Sequence, residues 1–151
     1  MTNATKEIVS TSPEETFQLG KNLAFHLHPG DCVALYGDLG SGKTCFVQGI
    51  CAGLQVKDAV TSPTFVLLNE YVGIDPDGKG LSVYHFDLYR LGDVDELQTL
   101  GADEFFYGQG ICLIEWANIG EDWIPTQAIR VRFEHAGESI RRISVTGRKQ
   151  T

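Results

Sequence analysis

Leu19, Leu23 and Leu27 recur at four-residue spacing, with Phe17 and Ala24 widening the apolar stripe, and this periodicity predicts an amphipathic helix. Its start is written in Ser12-Pro13-Glu14-Glu15, where Ser12 caps a free backbone N–H, Pro13 suits the first turn and Glu15 completes a capping box. Pro29-Gly30 ends it. Cys32 to Tyr36 is a short continuous apolar run bounded by Gly30-Asp31 and Gly37, the pattern of a strand buried on both faces of a parallel sheet. Phe46, Val47, Ile50 and Leu54 mark a second helix. Phe65 to Val72 and Leu81 to Leu88, separated by a turn-rich stretch from Asp75 to Gly80, predict an antiparallel hairpin. Asp93 with Glu96 repeats the capping pattern and opens a short helix carrying Leu97 and Leu100, and Ile111 to Ile114 is another buried strand. Ile129, Val131 and Phe133 alternate with Arg130, Arg132 and Glu134, and Ile143 and Val145 do likewise, so a second, one-sided hairpin is expected at a sheet edge. Together these elements predict a mixed three-layer α/β fold, with parallel core strands and antiparallel hairpins, in one domain over residues 1–151.

Composition narrows the classes. With 42% hydrophobic and 21% charged residues the chain can bury a core, which argues against disorder or a low-complexity fibre. There is no apolar run long enough to span a membrane, and Met1 to Ser10 is polar without a signal-peptide stretch, so a cytoplasmic protein with no membrane partner is expected. The four cysteines (Cys32, Cys45, Cys51 and Cys112) form no CxxC pair and fall mostly in hydrophobic segments, so they read as buried thiols without disulfide partners. A formal charge of −8 disfavours a free-standing nucleic-acid binder. The charge is uneven: residues 31–129 hold four basic and fifteen acidic side chains, and residues 130–151 hold six basic and two acidic ones. The acidic part suits a protein partner, and the basic end can meet an anion.

The chemistry lies between the first predicted strand and the second predicted helix. Gly37-Asp38-Leu39-Gly40-Ser41-Gly42-Lys43-Thr44 matches GxxxxGK[ST] in its required context. A triphosphate needs many donors and little side-chain bulk, so Gly40 and Gly42 let successive backbone N–H groups wrap the phosphates at the positive end of a helix dipole. Lys43 reaches the β/γ oxygens and Thr44 offers its hydroxyl to Mg2+. The pattern predicts the P-loop NTPase fold, with Asp38, Leu39, Gly40, Ser41, Gly42, Lys43, Thr44 and Cys45 expected as nucleotide contacts and ATP/ADP with Mg2+ expected as cofactors. Glu115, directly after a buried strand, stands where such proteins hold the metal, and it can also orient the attacking water. Asp87, at the end of another apolar strand, is a second carboxylate for the metal or γ-phosphate, or else pairs with Arg90 or caps a turn. Thr64, in Thr61-Ser62-Pro63-Thr64, is the candidate γ-phosphate sensor. Trp116 lies near the nucleotide or in the core. The four histidines (His26, His28, His85 and His135) form no metal-ligand pattern and are taken as structural or solvated.

The succession GDLGSGKT, TSPTF, YHFDLYRL and ICLIEW resembles the bacterial TsaE (YjeE) family, the small P-loop ATPases of tRNA threonylcarbamoyladenosine biosynthesis, over most of the chain. The resemblance implies that Lys43 and Thr44 bind phosphate and metal, that Asp87 is needed for activity, and that Glu115 helps to hold Mg2+. It also implies that Thr11 and Ser12 lie near the adenine. The family often has a proline just after the tryptophan, where this chain has Trp116-Ala117-Asn118, which bears on the local shape of that loop. Partnership with TsaB and TsaD is implied as well, TsaD transferring the threonylcarbamoyl group and tRNA being met only through the complex.

The expected activity is therefore Mg2+-dependent ATP hydrolysis to ADP and phosphate, slow until partners activate it. One alternative is a nucleotide-gated adaptor with incidental hydrolysis. The other is a small-molecule kinase, disfavoured because residues 91–128 contain no Arg or Lys for the usual lid.

Overall fold

The computed structural model describes residues 3–38, 40–61, 67–89, 91–93 and 95–148. In chain order the elements are β1 (Asn3–Ser10), α1 (Pro13–Ala24), β2 (Cys32–Tyr36), α2 (Lys43–Gly53), β3 (Leu68–Ile74), β4 (Gly80–Asp87), α3 (Asp95–Leu100), α4 (Ala102–Phe106), β5 (Ile111–Glu115), a 3₁₀ segment (Ala117–Trp123), β6 (Ile129–His135) and β7 (Arg141–Arg148).

All seven strands join one mixed sheet in the order β1-β7-β6-β2-β5-β4-β3. β2 pairs in parallel with both β5 and β6, and β4 pairs in parallel with β5. The β3/β4, β6/β7 and β1/β7 pairs are antiparallel. Every residue of β2 and of β5 is buried, as expected for central strands covered on both faces. Side chains alternate between the faces, and two cores result. One, under α1 and α2, takes Val33, Leu35, Leu81, Val83, Ile111, Leu113, Phe46 and Ile50. The other, under α3, α4 and the 3₁₀ segment, takes Cys32, Ala34, Phe86, Cys112, Ile114, Leu97 and Phe106. Three layers follow from this alternation.

The first helix starts as its capping signal dictates, with the Ser12 hydroxyl accepting from Glu15 N at 3.1 Å and Glu15 Oε1 accepting from Thr11 N at 2.5 Å. α1 and α2 pack with their backbones in close approach. A Cβ on Gly20 would stand 2.2 Å from Phe46 O, and one on Gly49 would stand 2.0 Å from Phe17 O. Glycine at both positions thus brings the N-terminus of α1 beside the start of α2.

Several expectations are corrected. The β6/β7 hairpin is not at an edge: β6 joins β2, and β7 is covered by β1, whose mostly polar sequence shows no apolar alternation and which pairs in register from Asn3↔Arg148 to Ser10↔Arg141. α1 ends at Ala24, before the Pro29-Gly30 breaker, and Leu27 reaches the core from the following turn. Cys32, Cys51 and Cys112 are buried, with the Cys51 and Cys112 thiols pushed up to about 12 by burial, but Cys45 is partly exposed. Part of the expected strand from Phe65 lies outside the described residues, and β3 begins at Leu68. No helix among the described residues is long and apolar enough to cross a membrane.

Candidate functional site

On the parallel strands β2, β5 and β4, the row of side chains under α2 is apolar along the strand and changes character at its C-terminal end. Val33 and Leu35 lead to Gly37, Ile111 and Leu113 lead to Glu115, and Leu81 and Val83 lead through His85 to Asp87. Period-two geometry therefore places the loop, Glu115 and Asp87 at one end of the sheet, and the β4/β5 register pairs Asp87 with Glu115. Open α/β sheets bind ligands at this end of their strands.

The loop is shaped by glycines with positive φ: +150° at Gly37, +72° at Gly40 and +106° at Gly42. A Cβ on Gly37 would meet Phe133 O at 2.9 Å and Ser41 Oγ at 2.7 Å, whereas one on Gly40 would meet nothing within 4 Å. Gly37 is thus required by close packing and left-handed backbone together, Gly40 by backbone alone. Gly42 caps α2 without any side-chain hydrogen bond, so the first N–H groups of the helix are not taken up by a capping side chain.

Lys43 is only 5% exposed. Its Nζ donates to Gly37 O at 2.5 Å and Asp38 O at 2.9 Å, and stands 4.1 Å from the centre of the Trp116 ring. Burial lowers the Lys43 pKa, opposed by the carboxylates of Glu115, Asp87 and Asp38. The indole reaches this position because Trp116, directly after β5, adopts φ 56°. Left-handed backbone at a non-glycine residue costs about 1–3 kcal/mol. Tyr89 packs against the same indole, with ring centres 4.7 Å apart.

Glu115 is 2% exposed and both its oxygens are engaged. Oε1 accepts from Thr44 Oγ1 at 2.9 Å, and Oε2 lies 2.6 Å from His85 Nε2. Asp87 Oδ1 accepts from Tyr89 N at 2.9 Å. Burial raises the Asp87 pKa, opposed by the Tyr89 N–H, with Glu115 raising it further and His85 and Lys43 lowering it.

Beside the loop lies a cleft of about 190 Å³, lined by Ser12, Thr16, Gly40, Gly42 and Cys45 on one side and by Glu138, Ser139 and Arg141 on the other. Ser12 and Cys45 line this cleft, while the Thr11 hydroxyl donates to Glu15 Oε1. The wall from the β6/β7 turn is new. Arg141 Nη2 donates to Gly40 O at 3.1 Å, a link that charge asymmetry alone did not reveal. A larger cavity of about 410 Å³, lined by Pro29, Asp31, Tyr107 and Gln127 among others, opens at the N-terminal ends of the parallel strands, away from the loop and both carboxylates. Leu39, Thr64 and Arg90 lie outside the described residues.

The donor set suits Mg2+ held jointly with a nucleotide. No group of three or more His, Cys, Asp or Glu among the described residues could hold a metal unaided. Mg2+ is ordinarily bound by one or two hard oxygens plus substrate phosphates, and Thr44, Glu115 and Asp87 offer oxygens of that kind beside a loop of glycines and backbone amides.

A strand, a glycine-shaped loop ending in Gly42-Lys43-Thr44, and a helix, set in a three-layer mixed sheet, define a P-loop protein. The family profile of the threonylcarbamoyl adenosine biosynthesis protein TsaE matches residues 10–143, and the chain belongs to that family. It is 42% identical over 137 residues to the tRNA threonylcarbamoyladenosine biosynthesis protein TsaE of Bacillus subtilis, covering 91% of this chain and 82% of that one. The TsaE of Treponema pallidum is 36% identical over 137 residues, covering 91% and 97%. The crystal structure of Bacillus subtilis YdiB superposes with a TM-score of 0.79 at 36% identity, covering 97% of this chain and 88% of that chain.

Proposed function

We propose that the chain binds ATP with Mg2+ at the 37–44 loop and hydrolyses it to ADP and phosphate, as the nucleotide-driven component of tRNA threonylcarbamoyladenosine synthesis. The observation that carries this reading is the contact of Thr44 Oγ1 with Glu115 Oε1 beside the buried Lys43 ammonium. Mg2+, when bound, neutralises charge on the β and γ phosphates. The loop amides and the N-terminus of α2 grip the phosphates, and Thr44 with Glu115 holds the ion. Lys43, already desolvated, exchanges its loop-carbonyl partners for phosphate oxygens at little reorganisation cost. Asp87, facing the same space, orients the attacking water together with Glu115. The cleft bounded by Ser12, Cys45 and Arg141 takes the base and ribose.

The proposed partners are TsaB and TsaD, with tRNA met only through that complex. Family membership and the formal charge of −8 support this division of labour, since phosphate contacts carry most nucleic-acid affinity. ATP hydrolysis is to be measured with the chain alone and with TsaB, TsaD and tRNA. Strong stimulation is expected. Equal turnover in both conditions would remove the partner-activated reading, and repeated tRNA modification supported by a hydrolysis-dead variant would favour a nucleotide-gated adaptor.

A further inference from the structure

His85 occupies a position that the pattern of β4 assigns to an aliphatic residue. It follows Leu81 and Val83 in the row that packs under α2, and it is fully buried. A buried imidazole is costly unless its nitrogens are satisfied, and here both face a partner on another strand. Nε2 lies 2.6 Å from Glu115 Oε2 on β5, and Nδ1 lies 3.4 Å from the Tyr71 hydroxyl on β3. The same hydroxyl lies 3.2 Å from Thr61 O, and Asn69 Nδ2 donates to that carbonyl at 3.2 Å. A continuous polar chain thus runs from Thr44 through Glu115, His85 and Tyr71 to the backbone of Thr61, crossing an otherwise apolar core layer.

We propose that His85, braced by Tyr71, is a positioning residue that fixes the Glu115 carboxylate so that its Oε1 is presented to Thr44 and the metal. The inference rests on the Mg-nucleotide reading of the site and deepens it. Three observations make it more than core filling. Glu115 is a buried carboxylate with two oxygens to satisfy, and Thr44 takes only one. His85 reaches the other with an imidazole nitrogen, a rigid group that sets the plane of the carboxylate. Tyr71 then holds the far side of the ring, its hydroxyl against the main-chain carbonyl of Thr61. Partners behind a metal-binding side chain set its orientation, and losing one typically weakens metal binding about 10- to 100-fold.

The test uses the full chain with Mn2+ as a paramagnetic stand-in for Mg2+. Bound Mn2+ is counted by electron paramagnetic resonance in the presence of ADP, and ADP affinity is measured separately in EDTA. In His85→Ala, metal affinity is expected to fall about 10- to 100-fold while ADP affinity in EDTA stays within about twofold of the parent. His85→Gln, which keeps a side-chain N–H, is expected to recover much of the loss. Tyr71→Phe, which deletes one oxygen, is expected to weaken metal binding about two- to tenfold, the worth of one ordinary hydrogen bond. It carries the test if His85→Ala does not fold. Parental metal affinity in the folded variants would overturn the proposal. So would an equal fall in the metal-free and metal-loaded affinities, which marks general damage to the loop. If the parent itself binds no Mn2+ with ADP, the underlying nucleotide reading fails first.

Discussion

Replacing Lys43 by methionine separates the charge at the centre of the loop from the packing of its stem. The ammonium donates to Gly37 O and Asp38 O, and the stem places it over Trp116. Methionine preserves much of that hydrocarbon contact and removes the cation. If Lys43 transfers two charge-assisted hydrogen bonds to phosphate, at about 1.5 kcal/mol each, the loss is about 3 kcal/mol, or roughly 150-fold in Kd. Folding responds differently. Burial already disfavours the charged form of Lys43, so removing the charge relieves desolvation while two loop carbonyls lose a donor and Glu115, Asp87 and Asp38 lose a nearby cation. These effects oppose one another, and a net change within about 1 kcal/mol is expected, which in a chain of this size moves Tm by roughly 2–4 °C at most. Titration calorimetry with ADP and Mg2+ reads the first quantity, and thermal unfolding without nucleotide reads the second. Binding within about fivefold of the parent would refute the role of Lys43. A fall in Tm well beyond that range would show that methionine disrupts the loop, and the affinity loss could not then be assigned to the charge.

Glu115→Gln should retain nucleotide binding within about tenfold and lose ATP turnover by about 100-fold or more, comparable to losing one preorganised polar group from an active site; unchanged turnover in a steady-state phosphate-release assay would remove the carboxylate assignment. Asp87 binds its proton more tightly in the folded chain because it is buried, so its ionisation destabilises the fold as pH rises from the ordinary aspartate range through the raised folded-state value, and that penalty is fully present above it. Asp87→Asn should therefore unfold at higher temperature than the parent at pH 7, with the gap closing as the pH is lowered through that window; a gap independent of pH would show that burial of the charge is not its cause. Gly49→Ala drives a Cβ to 2.0 Å from Phe17 O between α1 and α2, and should cost about 1–3 kcal/mol and lower Tm by roughly 2–12 °C. An unaltered melting curve would mean that the two helices can separate freely.

Local pattern was enough to locate most of what matters. The run Cys32–Tyr36, the glycine-rich loop and the first turn of α2 follow one another in the chain, so their geometry is set by neighbouring residues: apolar continuity, positive-φ glycines and a helix start. Glu115 and Asp87 were legible because each ends an apolar strand, and period-two alternation carries each to the same end and face. β1 was not legible, since a polar strand acquires its partner only when β7 offers an unpaired edge some 140 residues later in the chain. The hairpin of β6 and β7 was misplaced for the same reason: alternation reports one-sided burial, but says nothing of which strand lies alongside.

Spacing within short stretches fixes the loop, its lysine and threonine, the central strands and the acidic ends of two of them, so these can be read along the chain. Folding is what sets His85 behind Glu115, Trp116 over Lys43, and Arg141 against the carbonyl of Gly40. Those contacts join residues 30, 73 and 101 positions apart, and such pairings are fixed by strand order and register across the sheet, which no local periodicity encodes.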